Sequence, residues 1–466
     1  MKRSVLGIVL SMVMVLSLVS CGKKEAVAET EATVAETKAA PAETKAPEEV
    51  LSVAPEGYLV GVGTSDITPK EPVEIVGNIS AKKASEVASP LMVKAAVIRA
   101  GETGAILITI DTLKCPEPEE AIRKVSELTG VPKENIMVSA SHTHSAPFYT
   151  YYFDNFTESI LEAVKKAEED LEPCTLETGS TEVKGISENR RLLASDGTVW
   201  NNFLLPEEER KELEAAGPVD NTVTLLTART DDGKLKAVVW NFADHPNTEN
   251  SGKISADYPG YVQEKVNKKL GYDTVTLFIN GAAGDIDTFK STDEVSDALT
   301  DAIVKAATKT KKIEKTEIRG IQDTLSISER DAEFASEEIK KKWPSDYDSF
   351  KTSYDTTKKT GRKKTSVPVS AISFGEDLVI SAEPGELFST YGLQVRDIST
   401  FKNTMIAEAT NGFVGYIPTK KDFALGGYET WYGQHSFLDK EAGELIVAKM
   451  KKQVRLILLQ EHLMNS

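Results

Sequence analysis

Twice along this chain a short apolar run gives way to an amphipathic helical pattern and then to a second apolar run, and this recurrence constrains the fold more than any other feature. Ala105 to Ile110 is a short apolar run of the kind that forms a buried strand. Ile122, Val125 and Leu128 then fall on one helical face, and Gly130 stands where a helix stops. Ile136 to Ser141 reads as the next strand, and a helix carrying Ile160, Leu161, Val164 and Ala167 follows. The pattern returns with a strand at Leu235 to Phe242, a helix at Tyr258 to Leu270 and a strand at Thr274 to Asn280. A strand, helix, strand order favours parallel pairs joined by right-handed crossovers. The expected class is α/β: a mixed, largely parallel sheet with helices on both faces, in a single large domain over residues 57–466.

With 466 residues of which 40% are hydrophobic, the chain can bury a sizeable core. A net charge of -17 argues against nucleic acid as a partner, because phosphate recognition requires concentrated basic surface. The N-terminus places Lys2 and Arg3 before an apolar run from Val5 to Val19, the order of charge and hydrophobe found in export signals. Leu18-Val19-Ser20-Cys21 resembles the lipobox of bacterial lipoproteins. That resemblance implies a signal peptide over residues 1–20, cleavage before Cys21, acylation of Cys21 and anchoring to a membrane of the bacterial cell envelope. Residues 22–56 are mostly Ala, Glu, Thr, Lys and Pro, too poor in apolar surface to offset ordering entropy, and read as a tether. Of the other cysteines, Cys115 and Cys174 are compatible with a disulfide in an exported protein or with two buried thiols.

Beyond the second strand-helix-strand unit, Lys309 to Ser366 is rich in charge, and Ser345 to Lys364 reads as a surface insertion or loop. Apolar strands return at Val367 to Phe374 and Leu378 to Ala382, and a helix closes the chain over Ala442 to Leu459.

The chain has five histidines, and three stand directly after expected strands: His142, His144 and His245. Open α/β sheets bind ligands beyond the carboxyl ends of their strands, so two such ends bearing histidines suggest one shared site. Neutral imidazole is the commonest zinc ligand, and a catalytic zinc takes three protein ligands and an open position. Asp111 and the run Asn280-Gly281-Ala282-Ala283-Gly284-Asp285 end neighbouring strands. The glycines suggest a phosphate cradle, but no Gly-Lys-Ser/Thr follows them.

Ser141-His142-Thr143-His144-Ser145-Ala146-Pro147 resembles the HTHSGP motif of the neutral/alkaline, non-lysosomal ceramidases, with Ala146 in place of its glycine. Gly61-Val62-Gly63-Thr64-Ser65-Asp66-Ile67-Thr68 is similar to the opening of that family. Further matches follow in the family's order at Asn189-Arg190, His245, Ala283-Gly284-Asp285, Pro384-Gly385-Glu386 and Gly415-Tyr416. The resemblance implies a catalytic domain in which His142, His245, Glu386 and Tyr416 bind Zn2+, His144 handles protons, and Arg190 and Tyr428 face the substrate. It departs at Gly284-Asp285-Ile286-Asp287-Thr288, where relatives carry serine at the position of Asp287, a residue expected to border the substrate pocket.

The expected function is that of a zinc amidohydrolase, ceramidase-like and of the EC 3.5.1 type. Metal-activated water would attack a C-N amide bond of an N-acylated lipid or related small molecule of the envelope. Preorganised donors on Tyr428 and Arg190 would stabilise the oxyanion. The alternative is a non-catalytic envelope lipoprotein that binds a lipid or glycan in the same pocket.

Overall fold

The computed structural model describes residues 57–75, 82–115, 117–152 and 155–459. The signal peptide, Cys21 and the tether expected over residues 1–56 lie outside the described residues. No helix among the described residues is long and apolar enough to cross a membrane.

A first strand, β1 (Tyr58–Asp66), leads into β2 (Met92–Ala100), β3 (Thr103–Ile110), α1 (Glu119–Thr129), β4 (Ile136–Ala140) and α2 (Phe156–Glu169). Next come β5 (Glu172–Glu182), β6 (Thr222–Thr230), β7 (Leu235–Phe242), α3 (Asp257–Leu270), β8 (Val275–Asn280) and α4 (Thr292–Ala307). These strands form one sheet in the order β8-β7-β6-β5-β1-β2-β3-β4, and Lys311–Lys312 adds a short strand against β5. Both expected strand-helix-strand units form: β3 pairs with β4, and β7 with β8, in parallel. The mixed α/β class therefore holds, but the sheet is less parallel than expected. Its other pairings are antiparallel: β2-β3 and β6-β7 are hairpins, β1-β2 and β5-β6 are joined by longer returns, and β1 meets β5 from farther along the chain.

The chain then builds β9 (Ile318–Ser328), α5 (Ser336–Lys342), α6 (Tyr347–Thr360), β10 (Lys364–Phe374), β11 (Leu378–Ala382), α7 (Ser389–Asp397), β12 (Asn403–Ala407) and α8 (Ala442–Leu456). A second sheet runs β9-β10-β11-β12. Its β11-α7-β12 segment is a third parallel unit, which the sequence reading did not detect. Ser345 to Lys364, read as a surface insertion or loop, is an insertion between β9 and β10 that holds α6, with α5 just before it. Phe350 of α6 and Ile339 of α5 are buried against Trp431, which accounts for order in so charged a stretch.

Period-two alternation sorts the strands' side chains onto two faces. One face of the large sheet carries Ala95, Val97, Ile106, Ile108 and Val138 against Ile122, Val125, Ile160 and Val164 of α1 and α2. Farther along, Val238, Trp240 and Phe278 meet Val262, Val266, Leu299 and Ile303 of α3 and α4. The opposite face holds Val60, Ile98, Leu107, Leu226, Val239 and Leu277, and it packs on Phe374, Ile380 and Met405 of the second sheet. Helices thus cover one face of the large sheet, and a sheet covers the other where helices were expected. The outer face of the second sheet is closed by α8 through Ile446, Val447, Met450 and Val454.

The large sheet is bent: β8, at one end of the strand order, returns into contact with β2, β3 and β4 near the other. Lys94 of β2 donates from Nζ to Thr276 O of β8 at 3.1 Å across this closure. Gly61 and Gly63 let α2 lie directly on β1, since a Cβ at either would stand 1.8 Å from Ala167 O or 2.1 Å from Ala163 O. Curvature brings the carboxyl ends of β4 and β7, distant in strand order, to one place.

Candidate metal centre

His142 follows β4 and adopts φ +67, a left-handed conformation uncommon for residues other than glycine. The surrounding loop holds it there. His142 N donates to Thr112 O at 3.0 Å, and Thr143 Oγ1 donates to Ser255 O at 2.7 Å. The His142 and His144 rings lie 5.2 Å apart, centre to centre. They share the site because the chain turns at His142.

His245 follows β7, with its ring centre 4.9 Å from that of His142 and 5.5 Å from that of His144. Candidate ligand atoms of the three histidines lie within 4.8 Å of one another. His142 Nδ1 donates to Leu113 O at 2.6 Å and His245 Nδ1 to Ile286 O at 2.8 Å. A carbonyl oxygen only accepts, so both Nε2 atoms keep their lone pairs for the site. Burial, followed by the charge of Arg190, pushes the His245 pKa down to about 4, which keeps that imidazole neutral.

Glu386 enters from the connection after β11. Its Oε2 stands 3.5 Å from His142 Nε2 and 3.5 Å from His245 Nε2. Tetrahedral ligands held about 2.1 Å from a zinc ion stand about 3.4 Å apart, so both contacts match the edge of a zinc tetrahedron. His142 Nε2 and Glu386 Oε2 are sealed from solvent and have no hydrogen-bond partner among the described residues. Buried polar atoms left this way are costly, and a cation between them would satisfy both.

Tyr416 joins the group through backbone pairing, because Glu386–Leu387 and Tyr416–Ile417 form a two-strand parallel ribbon with Glu386 opposite Tyr416. Its hydroxyl accepts from Arg190 Nη2 at 2.9 Å. Arg190 is fully engaged: Nε donates to Glu429 Oε1 at 2.8 Å, Nη2 to Gly284 O at 3.1 Å, and Nη1 to His245 Nε2 at 3.3 Å. The last contact uses the lone pair that a metal would take. Nη1 is therefore the guanidinium nitrogen that metal binding would free. The Tyr428 ring lies 5.5 Å from that of Tyr416 and stacks on His435 at 5.0 Å and 11°. Trp343, just beyond α5, packs 5.2 Å from Tyr428, so the insertion supplies a wall of the site. Burial, with the charge of Glu386, raises the Tyr428 pKa, and the phenol stays a donor at neutral pH.

Asp287 borders Arg190, with Oδ2 3.9 Å from Nη1. Its Oδ1 accepts from Thr288 N at 2.8 Å. Burial pushes its pKa up to about 6 against the pull of Arg190. The glycine run before it does not cradle a phosphate: a Cβ at Gly284 would stand 2.3 Å from Glu386 O, so glycine there permits close approach of the Glu386 strand. Asp285 is structural, accepting from Asn189 Nδ2 at 2.6 Å and Ser389 N at 2.7 Å. Asp111 accepts from Met92 N at 3.0 Å and belongs to the sheet's rim.

The sequence reading missed Glu429 and His435. Glu429 is 0% exposed and receives Arg190, Arg191 Nη1 at 2.5 Å and Asn201 Nδ2 at 2.6 Å. Two adjacent arginines, far away in sequence, were its only available signal. Cys115 and Cys174 are free and buried, with Cys115 on the helix-covered side of the sheet and Cys174 on the other, so no disulfide forms.

The family profile described as neutral/alkaline non-lysosomal ceramidase, N-terminal, matches residues 58–342. Among characterised relatives, neutral ceramidase B of Dictyostelium discoideum is 26% identical over 257 residues, covering 48% of this chain and 33% of that protein. Neutral ceramidase of Pseudomonas aeruginosa is 24% identical over 258 residues, covering 49% and 37%. The matches thus span about a third of these relatives' length. The crystal structure of the Pseudomonas aeruginosa neutral ceramidase superposes with a TM-score of 0.68 at 17% identity, covering 87% of this chain and 75% of that one, and so shares the fold.

Proposed function

The chain belongs to the neutral/alkaline non-lysosomal ceramidase family, and from that membership and the site geometry we propose a zinc-dependent hydrolase of the C-N amide bond in an N-acylated, ceramide-like lipid or related envelope molecule. The observation that carries this reading is the convergence of His142 Nε2 and His245 Nε2 on Glu386 Oε2, at 3.5 Å each, with both Nδ1 atoms tied to backbone carbonyls. His142, His245, Glu386 and Tyr416 would hold the zinc. When bound, zinc brings the pKa of water near neutrality and so makes hydroxide available for amide attack.

The remaining chemistry falls to side chains around the ligands. His144 is half-buried beside both ligand histidines, and it takes the proton from the nucleophile and returns it to the departing amine. Tyr428 and Arg190 Nη1 donate to the oxygen that gains charge in the transition state. Glu429, Gly284 O and Tyr416 hold the rest of the guanidinium, so Arg190 loses little freedom on meeting that charge. The proposed setting is the bacterial cell envelope, with acylated Cys21 holding the protein to a membrane and a lipid amide as substrate.

A panel of N-acyl amides, assayed with the purified protein before and after chelation and zinc restoration, tests this proposal. Turnover abolished by chelator and regained with zinc is expected. Turnover indifferent to chelation, or lipid binding without turnover of any amide, would overturn it.

A further inference from the structure

We infer that Asp287 makes the site selective for the charge of its substrate's amine portion, favouring amides that carry an ammonium or hydroxyl group beside the scissile bond and rejecting those that carry a carboxylate there. The inference rests on the proposed amide hydrolysis and adds the chemical class of the amine.

Asp287 is held rigidly. It lies in the short strand Ile286–Asp287, paired with Glu188–Asn189, and the preceding carbonyl, Ile286 O, accepts from His245 Nδ1. The backbone that orients a ligand histidine therefore also places this carboxylate. Its Oδ1 is committed to Thr288 N, while Oδ2 lies 3.9 Å from Arg190 Nη1, too far for a hydrogen bond. That nitrogen is itself 3.3 Å from His245 Nε2, so Oδ2 is only two contacts from the reacting centre. An amide carbonyl polarised there would put the first atoms of its amine substituent within reach of Oδ2. The side chain keeps 11% of its surface exposed, so a substrate group can approach it.

Arg190 offsets Asp287 only in part, because Glu429 already takes its Nε. Burial raises the Asp287 pKa to about 6, so the group is ionised at mildly alkaline pH.

The test uses three probes with one acyl chain and one spacer length: N-acyl-1,3-diaminopropane, N-acyl-3-aminopropanol and N-acyl-β-alanine. For the zinc-loaded full chain at mildly alkaline pH, kcat/KM should be roughly tenfold to a hundredfold higher for the ammonium probe than for the carboxylate probe, as expected for two charges a few ångströms apart in a partly screened site. Asp287→Asn, which keeps the shape and removes the charge, should bring that ratio to within about twofold. Binding of the same probes to the zinc-free protein, measured calorimetrically, should show the same preference and the same loss. Unchanged ratios in Asp287→Asn, or a wild-type preference for the carboxylate probe, would overturn the inference. If no probe is turned over but the Asp287-dependent binding preference is present, the assignment to Asp287 stands and the proposed hydrolysis fails.

Discussion

Replacing Glu429 with Gln would remove one negative charge from between two buried guanidinium groups while leaving the volume almost unchanged. Glu429 is 0% exposed, Arg190 3% and Arg191 1%, so solvent cannot replace the lost charge. Breaking a buried ion pair from one side costs about 3–5 kcal/mol, because the partner is left uncompensated. Unfolding entropy near 2.1 cal/mol/K per residue, over the roughly 400 residues of the folded domain, converts this to a fall in Tm of about 4–6 °C. Acid adds a second test. Burial raises the Glu429 pKa, but Arg191 and Arg190 outweigh it and leave the folded value below the ordinary one of 4.5. The folded state therefore binds the proton more weakly than the unfolded chain. The carboxylate's contribution is complete above that ordinary value and is lost as pH falls through the folded value. Melting followed by circular dichroism, on both proteins at neutral pH and in acid, should show a gap that narrows in acid. A neutral-pH difference below about 1 °C, or a gap that widens in acid, would refute the reasoning.

Two further outcomes follow from packing. Gly284→Ala would drive a Cβ into Glu386 O, so it should cost about 1–3 kcal/mol of stability and weaken zinc binding by about tenfold or more in a chelator competition; unchanged affinity would show that the Glu386 strand is not held by this approach. Cys115 and Cys174 should both resist a thiol reagent until the protein is denatured, and prompt labelling of either in the native protein would contradict their burial.

Much of this arrangement was legible in the sequence because it is local. The apolar runs at Ala105 to Ile110 and Leu235 to Phe242, with Gly130 as a helix stop, announced two strand-helix-strand units, and both formed. Leu128, assigned to the apolar face of α1, is instead 45% exposed, since that helix buries only a narrow stripe. Sheet direction was harder to read. Antiparallel returns such as β5 to β6 are set by long-range partners, and the bend that brings β8 back to β2 leaves no periodic trace. The helices of the charge-rich insertion were hidden for a related reason. Its few apolar residues, Ile339, Trp343 and Phe350, find their partners in Tyr428 and Trp431, roughly eighty to ninety residues away.

The site divides along the same line. His142, His144 and His245 stand at strand ends and could be found from the strands alone. Glu386, Tyr416, Tyr428 and Arg190 came only through resemblance to a family, and the fold gathers them around the histidines through the Glu386–Tyr416 pairing and the Arg190 fork. Glu429 and His435 escaped altogether, since each acts on a neighbour of the centre and stands after no expected strand.

Metal content measured by elemental analysis, on purified wild-type protein and on His142→Ala and His245→Ala after identical zinc exposure and dialysis, tests the central claim most directly. About one zinc per wild-type chain, lost from both variants, is the result expected of a centre with this ligand geometry. A folded wild-type protein that retains no zinc, or variants that retain as much as the wild type, would contradict it.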